Sequence, residues 1–173
     1  MKNFNVLVFF FLFYVFVGNE SLDQFELIDL SDHHINLDSI KSKPVLTILV
    51  EKIHCFECVK QLLFALKNHS EVETYNILIV YQGEETVLDR KFFITKFKKY
   101  DLNNISFAFV RSRQKKNIFA YFQMKGSPSI LVFNKKTLNL LELFPYTRLF
   151  DERGVLRPKV IDTVFSVILK EKG

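Results

Sequence analysis

The sequence predicts an α/β domain with a mixed central sheet and helices on both faces. Three observations carry that expectation. Segments dense in β-branched residues and leucine alternate with segments whose apolar residues recur at helical spacing. The strand-like segments are nearly continuous apolar runs, as in strands buried on both faces of a parallel sheet. The last two of them are separated only by a short turn, so they form an antiparallel hairpin that makes the sheet mixed.

Taken in order, "FELIDL" (25–30) and "INL" (35–37) read as two short strands around the polar turn "SDHH", an N-terminal β-hairpin. "LDSIKSKP" reads as a helical turn that stops before Pro44, because the residue before a proline avoids the α region. "VLTILVE" (45–51) is a buried strand. From Cys55 onward Val59, Leu62, Leu63, Ala65 and Leu66 recur at helical spacing until "NHS" interrupts them. "TYNILIVYQ" (74–82) is the next buried strand. "VLDRKFFITKFKKY" (87–100) reads as an amphipathic helix with Leu88, Phe92, Phe93 and Phe97 on one side. "ISFAFVR" (105–111) is a strand and "KKNIFAYFQM" (115–124) a short helix. After the break "KGSPS", "ILVFN" (130–134) and "LNLLELF" (138–144) make the hairpin around "KKT". "RPKVIDTVFSVILKEKG" closes the chain as a helix with Val160, Val164, Phe165 and Ile168 on its apolar face. There is no internal repeat or low-complexity linker, and one domain over residues 22–173 accounts for the chain.

An apolar fraction of 49%, with 20 phenylalanines and no tryptophan, supports a substantial core. The net charge of +5 is modest, and its cations are interleaved with acids. A nucleic-acid groove needs a basic stripe with exposed stacking aromatics, whereas the aromatics here fall at core spacing. Nucleic-acid binding is therefore set aside.

The first 18 residues differ from the rest. Lys2 is followed by an uncharged apolar run from Val6 to Val17. As a helix that run spans roughly 18 Å at ~1.5 Å per residue, short of the ~30 Å of a bilayer core. It suits the apolar region of a secretory signal, with an uncleaved anchor as the alternative. The expectation is an exported, extracytoplasmic protein, soluble or tethered at its N-terminus.

Both cysteines lie in "HCFECVKQL". They form a redox pair, half of a metal site, or two small residues sharing a turn. As a staple, a disulfide between them closes too short a loop to stabilise much. A cysteine at the start of a helix is another matter. It sits beside unpaired N–H groups and the positive end of the helix dipole, which favour the thiolate. Cys55 occupies that position and is the expected nucleophile. Cys58, one turn further in, is the expected resolving thiol, so the pair suits thiol–disulfide exchange. A protonated His54 would favour the Cys55 thiolate and an ionised Glu57 would oppose it.

The order of elements, "HCFECVKQL" and "YFQMKGSPSILVFN" together resemble the thioredoxin fold, and within it the exported TlpA/ResA-like thiol–disulfide oxidoreductases. The resemblance runs from about Asp23 to Lys170 and includes the entry "FELIDLSDHHINLDSIKSKPVLTILV". It implies a Cys55–Cys58 disulfide couple and a cis peptide bond at Ser127–Pro128 facing it, where a substrate strand binds. It implies no cofactor and no metal. The implied partners are protein disulfides and a membrane-bound thiol reductase as electron donor. Residues 83–104 match the family's helical insertion. The pattern departs from the family at His54 and Glu57, where tryptophan and proline are usual, and at Leu49, where many thioredoxins bury an acid. Proton removal from Cys58 then falls to water, His54 or Glu51.

Three rival readings follow from the same residues. A redox-inactive thioredoxin-fold adaptor would explain the atypical surroundings of the pair. Copper(I) handling would use Cys55 and Cys58 with His54 beside them, since of His33, His34, His54 and His69 only His54 is adjacent to the pair in sequence. A peroxiredoxin is rejected, because "ILVEKIHC" lacks the proline and threonine expected before its cysteine.

Overall fold

The computed structural model of the chain describes residues 20–40, 42–51, 56–83, 87–98, 104–111 and 117–170. The leader expected over residues 1–18, together with His54 and Cys55, lies outside the described residues.

Six strands form one sheet: β1 (Leu27–Ile28), β2 (Val45–Glu51), β3 (Asn76–Gln82), β4 (Ile105–Val110), β5 (Ser129–Phe133) and β6 (Leu140–Phe144). Their order is β1-β4-β3-β2-β5-β6. The central β2, β3 and β4 are parallel, while β1 pairs antiparallel with β4, β5 antiparallel with β2 and β6 antiparallel with β5. Parallel neighbours require crossovers, which α1 (Phe56–Lys67) supplies between β2 and β3 and α2 (Val87–Lys98) between β3 and β4. Two short helices, α3 (Ile118–Tyr121) and α4 (Tyr146–Leu149), and the closing α5 (Val160–Lys170) complete the α-helices among the described residues.

Side-chain alternation divides the core into two layers. Leu46, Ile48, Val50, Ile77, Ile79, Tyr81, Ile130 and Val132 face α1, α2 and α5. The intervening Val45, Leu49, Leu78, Val80, Leu131 and Phe133 face the other way, onto Leu22, Phe25 and α3. Helices thus cover both faces, but unequally: three long ones and the short α4 on the first, the short α3 and two 3-10 turns on the second. This double burial is why the strands read as continuous apolar runs.

Four local expectations need correction. The N-terminal hairpin is shorter than its apolar letters suggest. Asp29 Oδ1 accepts hydrogen bonds from the N–H groups of Ser31 and His33, which turns the chain early. The return arm is a single bridge from His34 to Ile28, with the Ile35 N–H donating to Leu27. "INL" is not a strand, because Asn36 Oδ1 accepts from the Asp38 N–H and starts the 3-10 turn Leu37–Ile40. In α2, Phe93 and Phe97 are buried but Phe92 is 47% exposed. Adjacent helical residues point about 100° apart, so Phe92 cannot share the Phe93–Phe97 face. It meets the Phe56 ring edge-on instead, at 5.7 Å; the side chain of Leu88 lies outside the described residues. Finally, the expected helix over 115–124 contracts to α3, capped by Asn117 Oδ1 accepting from the Ala120 N–H at 2.9 Å.

Candidate active site

The site forms where β2, α1, the turn before β5 and the segment after β6 meet. α1 begins at Phe56 and buries Cys58, Val59, Leu62, Leu63 and Leu66 against the sheet. Glu57 lies in its first turn, where a carboxylate complements the dipole, and Lys67 in its last. Glu57 is exposed and pairs with Lys60 at 2.6 Å, so an ammonium group offsets its charge. Cys58 is 3% exposed and its sulfur is engaged in a disulfide.

The Ser127–Pro128 peptide bond is cis, as the resemblance implied. Two hydroxyls hold this turn. Ser127 Oγ accepts from the backbone N–H of Glu51 at 2.9 Å, tying the turn to the last residue of β2. Ser129 Oγ donates to the Gly126 carbonyl at 3.0 Å. Gly126 has φ +86, and a Cβ placed on it would lie 2.9 Å from the Cβ of Tyr146. Glycine is therefore required there twice over, by the left-handed backbone and by the close approach.

Tyr146 joins the two halves of the site. It opens α4 immediately after Pro145, which serves as the N-cap, and its ring stacks on Phe150 at 4.9 Å. Its hydroxyl lies 3.9 Å from Cys58 Sγ. A sulfur held in a disulfide carries no proton, so the phenol is the donor in this contact. The turn beyond α4 closes over the same place. Gly154, at φ +74, would bring a Cβ within 3.4 Å of the Tyr146 hydroxyl and 3.9 Å of Cys58 Sγ. Gln61, one turn along α1 from Cys58, holds that turn: its Nε2 donates to the Gly154 carbonyl at 3.1 Å, and its Oε1 accepts from the Leu156 N–H at 2.9 Å.

Asp151 shapes the turn from the other side. Its Oδ1 accepts from the N–H groups of Val155 and Arg153, both at 2.9 Å. Those bonds, Val155's foremost, hold its carboxyl below the usual aspartate range.

The structure thus gathers Cys58 and the Ser127–Pro128 turn around Tyr146, and leaves Glu57 on the exposed rim. Leu49 is fully buried in the opposite layer from Cys58, so that position offers no proton acceptor to the sulfur. Tyr146, Gly154 and Gln61 were not singled out from sequence. "PYTRLFDERGVL" carries neither helical nor strand periodicity; its readable signals are a proline after a strand and the D-x-x-G turn.

Among the described residues no group of three His, Cys, Asp or Glu side chains is arranged to hold a metal. His33 and His34 lie in the N-terminal hairpin beside Asp29 and Glu26. His69 stacks on Phe165 beyond the far end of α1. A cavity of about 320 Å³ runs between β6 and the Phe122–Gln123 turn, and neither Cys58 nor Tyr146 lines it.

No family model matches the sequence, and no curated protein does. Solved structures do match. The thioredoxin domain of a thiol-disulfide oxidoreductase from Bacteroides vulgatus aligns with TM-score 0.55 and 15% identity, covering 82% of this chain and 90% of its own. A thiol:disulfide interchange protein from a Bacteroides species aligns with TM-score 0.57 and 18% identity, covering 84% and 86%. An exposed lipoprotein thioredoxin from Streptococcus pneumoniae gives 0.53 and 18%, covering 82% and 97%. At such identities the likeness speaks to the fold, and it agrees with the mixed sheet described above.

Proposed function

We propose that this protein, which has the thioredoxin fold, is an extracytoplasmic thiol–disulfide oxidoreductase working through a Cys55/Cys58 dithiol couple. The observation that carries the reading is the disulfide state of Cys58 in the first turn of α1, with the Ser127–Pro128 turn brought to it through Tyr146.

In the reduced enzyme the Cys55 thiolate attacks a substrate disulfide and one substrate thiol leaves. Cys58 then attacks Cys55 in the mixed disulfide, which frees the second substrate thiol and restores the internal disulfide. The turn at Ser127 and Pro128 offers backbone to an extended substrate segment, a strand-addition mode of recognition. His54 and Glu57 tune the nucleophile in opposite directions. The clients are protein disulfides. A membrane-bound thiol reductase returns the electrons, and the apolar leader over residues 1–18 delivers the domain outside the cytoplasm. No helix among the described residues is long and apolar enough to cross a membrane.

The test is the reduction potential of the Cys55–Cys58 couple, measured together with insulin reduction by the wild type and by Cys55→Ala. A reversible couple inside the range of roughly −270 to −120 mV known for this fold, with activity abolished in the variant, supports the reading. A potential near the oxidising end reverses the direction of electron flow. No reversible couple and equal behaviour of the two proteins would remove the oxidoreductase reading in favour of a binding adaptor. That second reading draws on the buried Leu49, which puts an apolar side chain where many thioredoxins carry an acid.

A further inference from the structure

The resolving cysteine has to lose a proton in surroundings that are almost entirely apolar. Cys58 is 3% exposed and belongs to the apolar core layer beneath α1, and burial in such surroundings disfavours a thiolate. Position 49 on β2 offers no acid, since it is a leucine that faces the opposite layer. The Tyr146 hydroxyl is placed 3.9 Å from the sulfur.

That hydroxyl is held in position from three sides. Its ring stacks on the fully buried Phe150, its Cβ rests on Gly126, and its oxygen is confined by Gly154, whose carbonyl is fixed by Gln61. The nearby charged side chains have partners of their own. Glu57 pairs with Lys60 on α1, Arg148 on α4 with Glu142 on β6, and Arg153 with Asp151 on the following turn. Glu51 stands at the end of β2.

We propose that Tyr146 is the hydrogen-bond donor that stabilises the thiolate of Cys58 and so governs the resolving step. The proposal rests on the dithiol chemistry put forward above and assigns a role within it. In the mixed disulfide Cys58 releases its proton to water, and the thiolate accepts the Tyr146 O–H. A hydrogen bond to an ionised acceptor is stronger and shorter than the same bond to a neutral sulfur, so the contact tightens when the charge appears. The Cys58 lone pair attacks Cys55 Sγ and the Cys55–Cys58 bond forms. The bond from Cys55 to the substrate sulfur breaks, and that sulfur leaves with the electron pair and takes a proton from solvent. Two electrons pass from the dithiol to the substrate disulfide, and Tyr146 keeps its own proton throughout.

The test isolates the contact from turnover. In the full chain carrying Cys55→Ala, Cys58 is the only thiol, and its ionisation is followed by ultraviolet thiolate absorbance against pH. Adding Tyr146→Phe keeps the ring, its stacking and its packing on Gly126 and removes one oxygen. The titration midpoint is expected to rise by about one pH unit, a tenfold loss of thiolate at a given pH below it. In the protein with both cysteines, Tyr146→Phe is expected to accumulate the Cys55–substrate mixed disulfide and to slow its resolution about tenfold. Superimposable titrations in two folded variants would overturn the proposal. Should Tyr146→Phe fail to fold, 3-fluorotyrosine at position 146, a stronger donor of nearly the same shape, must lower the midpoint, and an unmoved midpoint overturns the proposal equally. The single-thiol titration reads the Tyr146–Cys58 contact even if the Cys55–Cys58 couple proves inactive, so failure of the function and failure of this role are told apart.

Discussion

Gln61→Leu tests whether one amide side chain holds the turn that closes over the site. Leucine preserves the apolar stem on α1 and deletes both polar ends, the Nε2 donor to Gly154 and the Oε1 acceptor for Leu156. Each such bond is worth about 0.5–1.5 kcal/mol net, so losing the pair should cost about 1–3 kcal/mol. The stranded groups are on a partly buried turn, where water replaces some of what is lost, which places the expectation near 2 kcal/mol. With a urea m-value of ~2 kcal/mol/M, that lowers the unfolding midpoint of the oxidised protein by about 1 M. Amide hydrogen exchange supplies the local readout. Leu156 should lose protection more than residues in the middle of β3, because the break is at the turn and not in the sheet. A midpoint moved by less than about 0.2 M, with Leu156 protection unchanged, would refute the view that Gln61 anchors this turn.

Two further outcomes are expected around the same site. Gly126→Ala combines a left-handed backbone, φ +86, with a Cβ at 2.9 Å from Tyr146 Cβ. The backbone alone costs about 1–2 kcal/mol, so a loss of at least that much in urea unfolding is expected, and a neutral result would contradict the close packing of Tyr146 on the cis-proline turn. Asp151 provides the pH dependence. Its carboxyl is held low by the Val155 N–H above all, so its contribution is fully present above the unfolded aspartate value of about 3.9 and disappears as pH falls through the lower folded value. Exchange at the Val155 and Arg153 amides, corrected for intrinsic rates, should lose protection over that acid window in the wild type, and Asp151→Asn should weaken its pH dependence.

Most of the sheet is legible in the letters because local burial leaves a local trace. A strand covered on both sides must be apolar at every position, and "VLTILVE" and "NILIVYQ" are almost that. α1 and α5 show their buried faces at helical spacing for the same reason. Short-range polar bonds are less visible. The oxygens of Asp29 and Asn36 cut the N-terminal hairpin short, and nothing in the apolar pattern of "FELIDL" or "INL" announces it. The helical reading groups Phe92 with Phe93 and Phe97 on one side, whereas its angle around α2 turns Phe92 toward Phe56 and solvent.

By itself the sequence determined the alternation of buried strands and helices, the placing of Cys58 in the opening turn of a helix, and the Ser-Pro pair ahead of β5. Those are properties of neighbouring residues, and neighbouring residues set backbone preference and the face an element buries. Only the tertiary structure decided what stands beside the sulfur. Tyr146 is 88 residues from Cys58 along the chain and reaches it because β6 runs antiparallel to β5 and delivers α4 beside the opening of α1. No periodicity encodes such a meeting, since it depends on strand order and on two glycines small enough to leave the phenol its place.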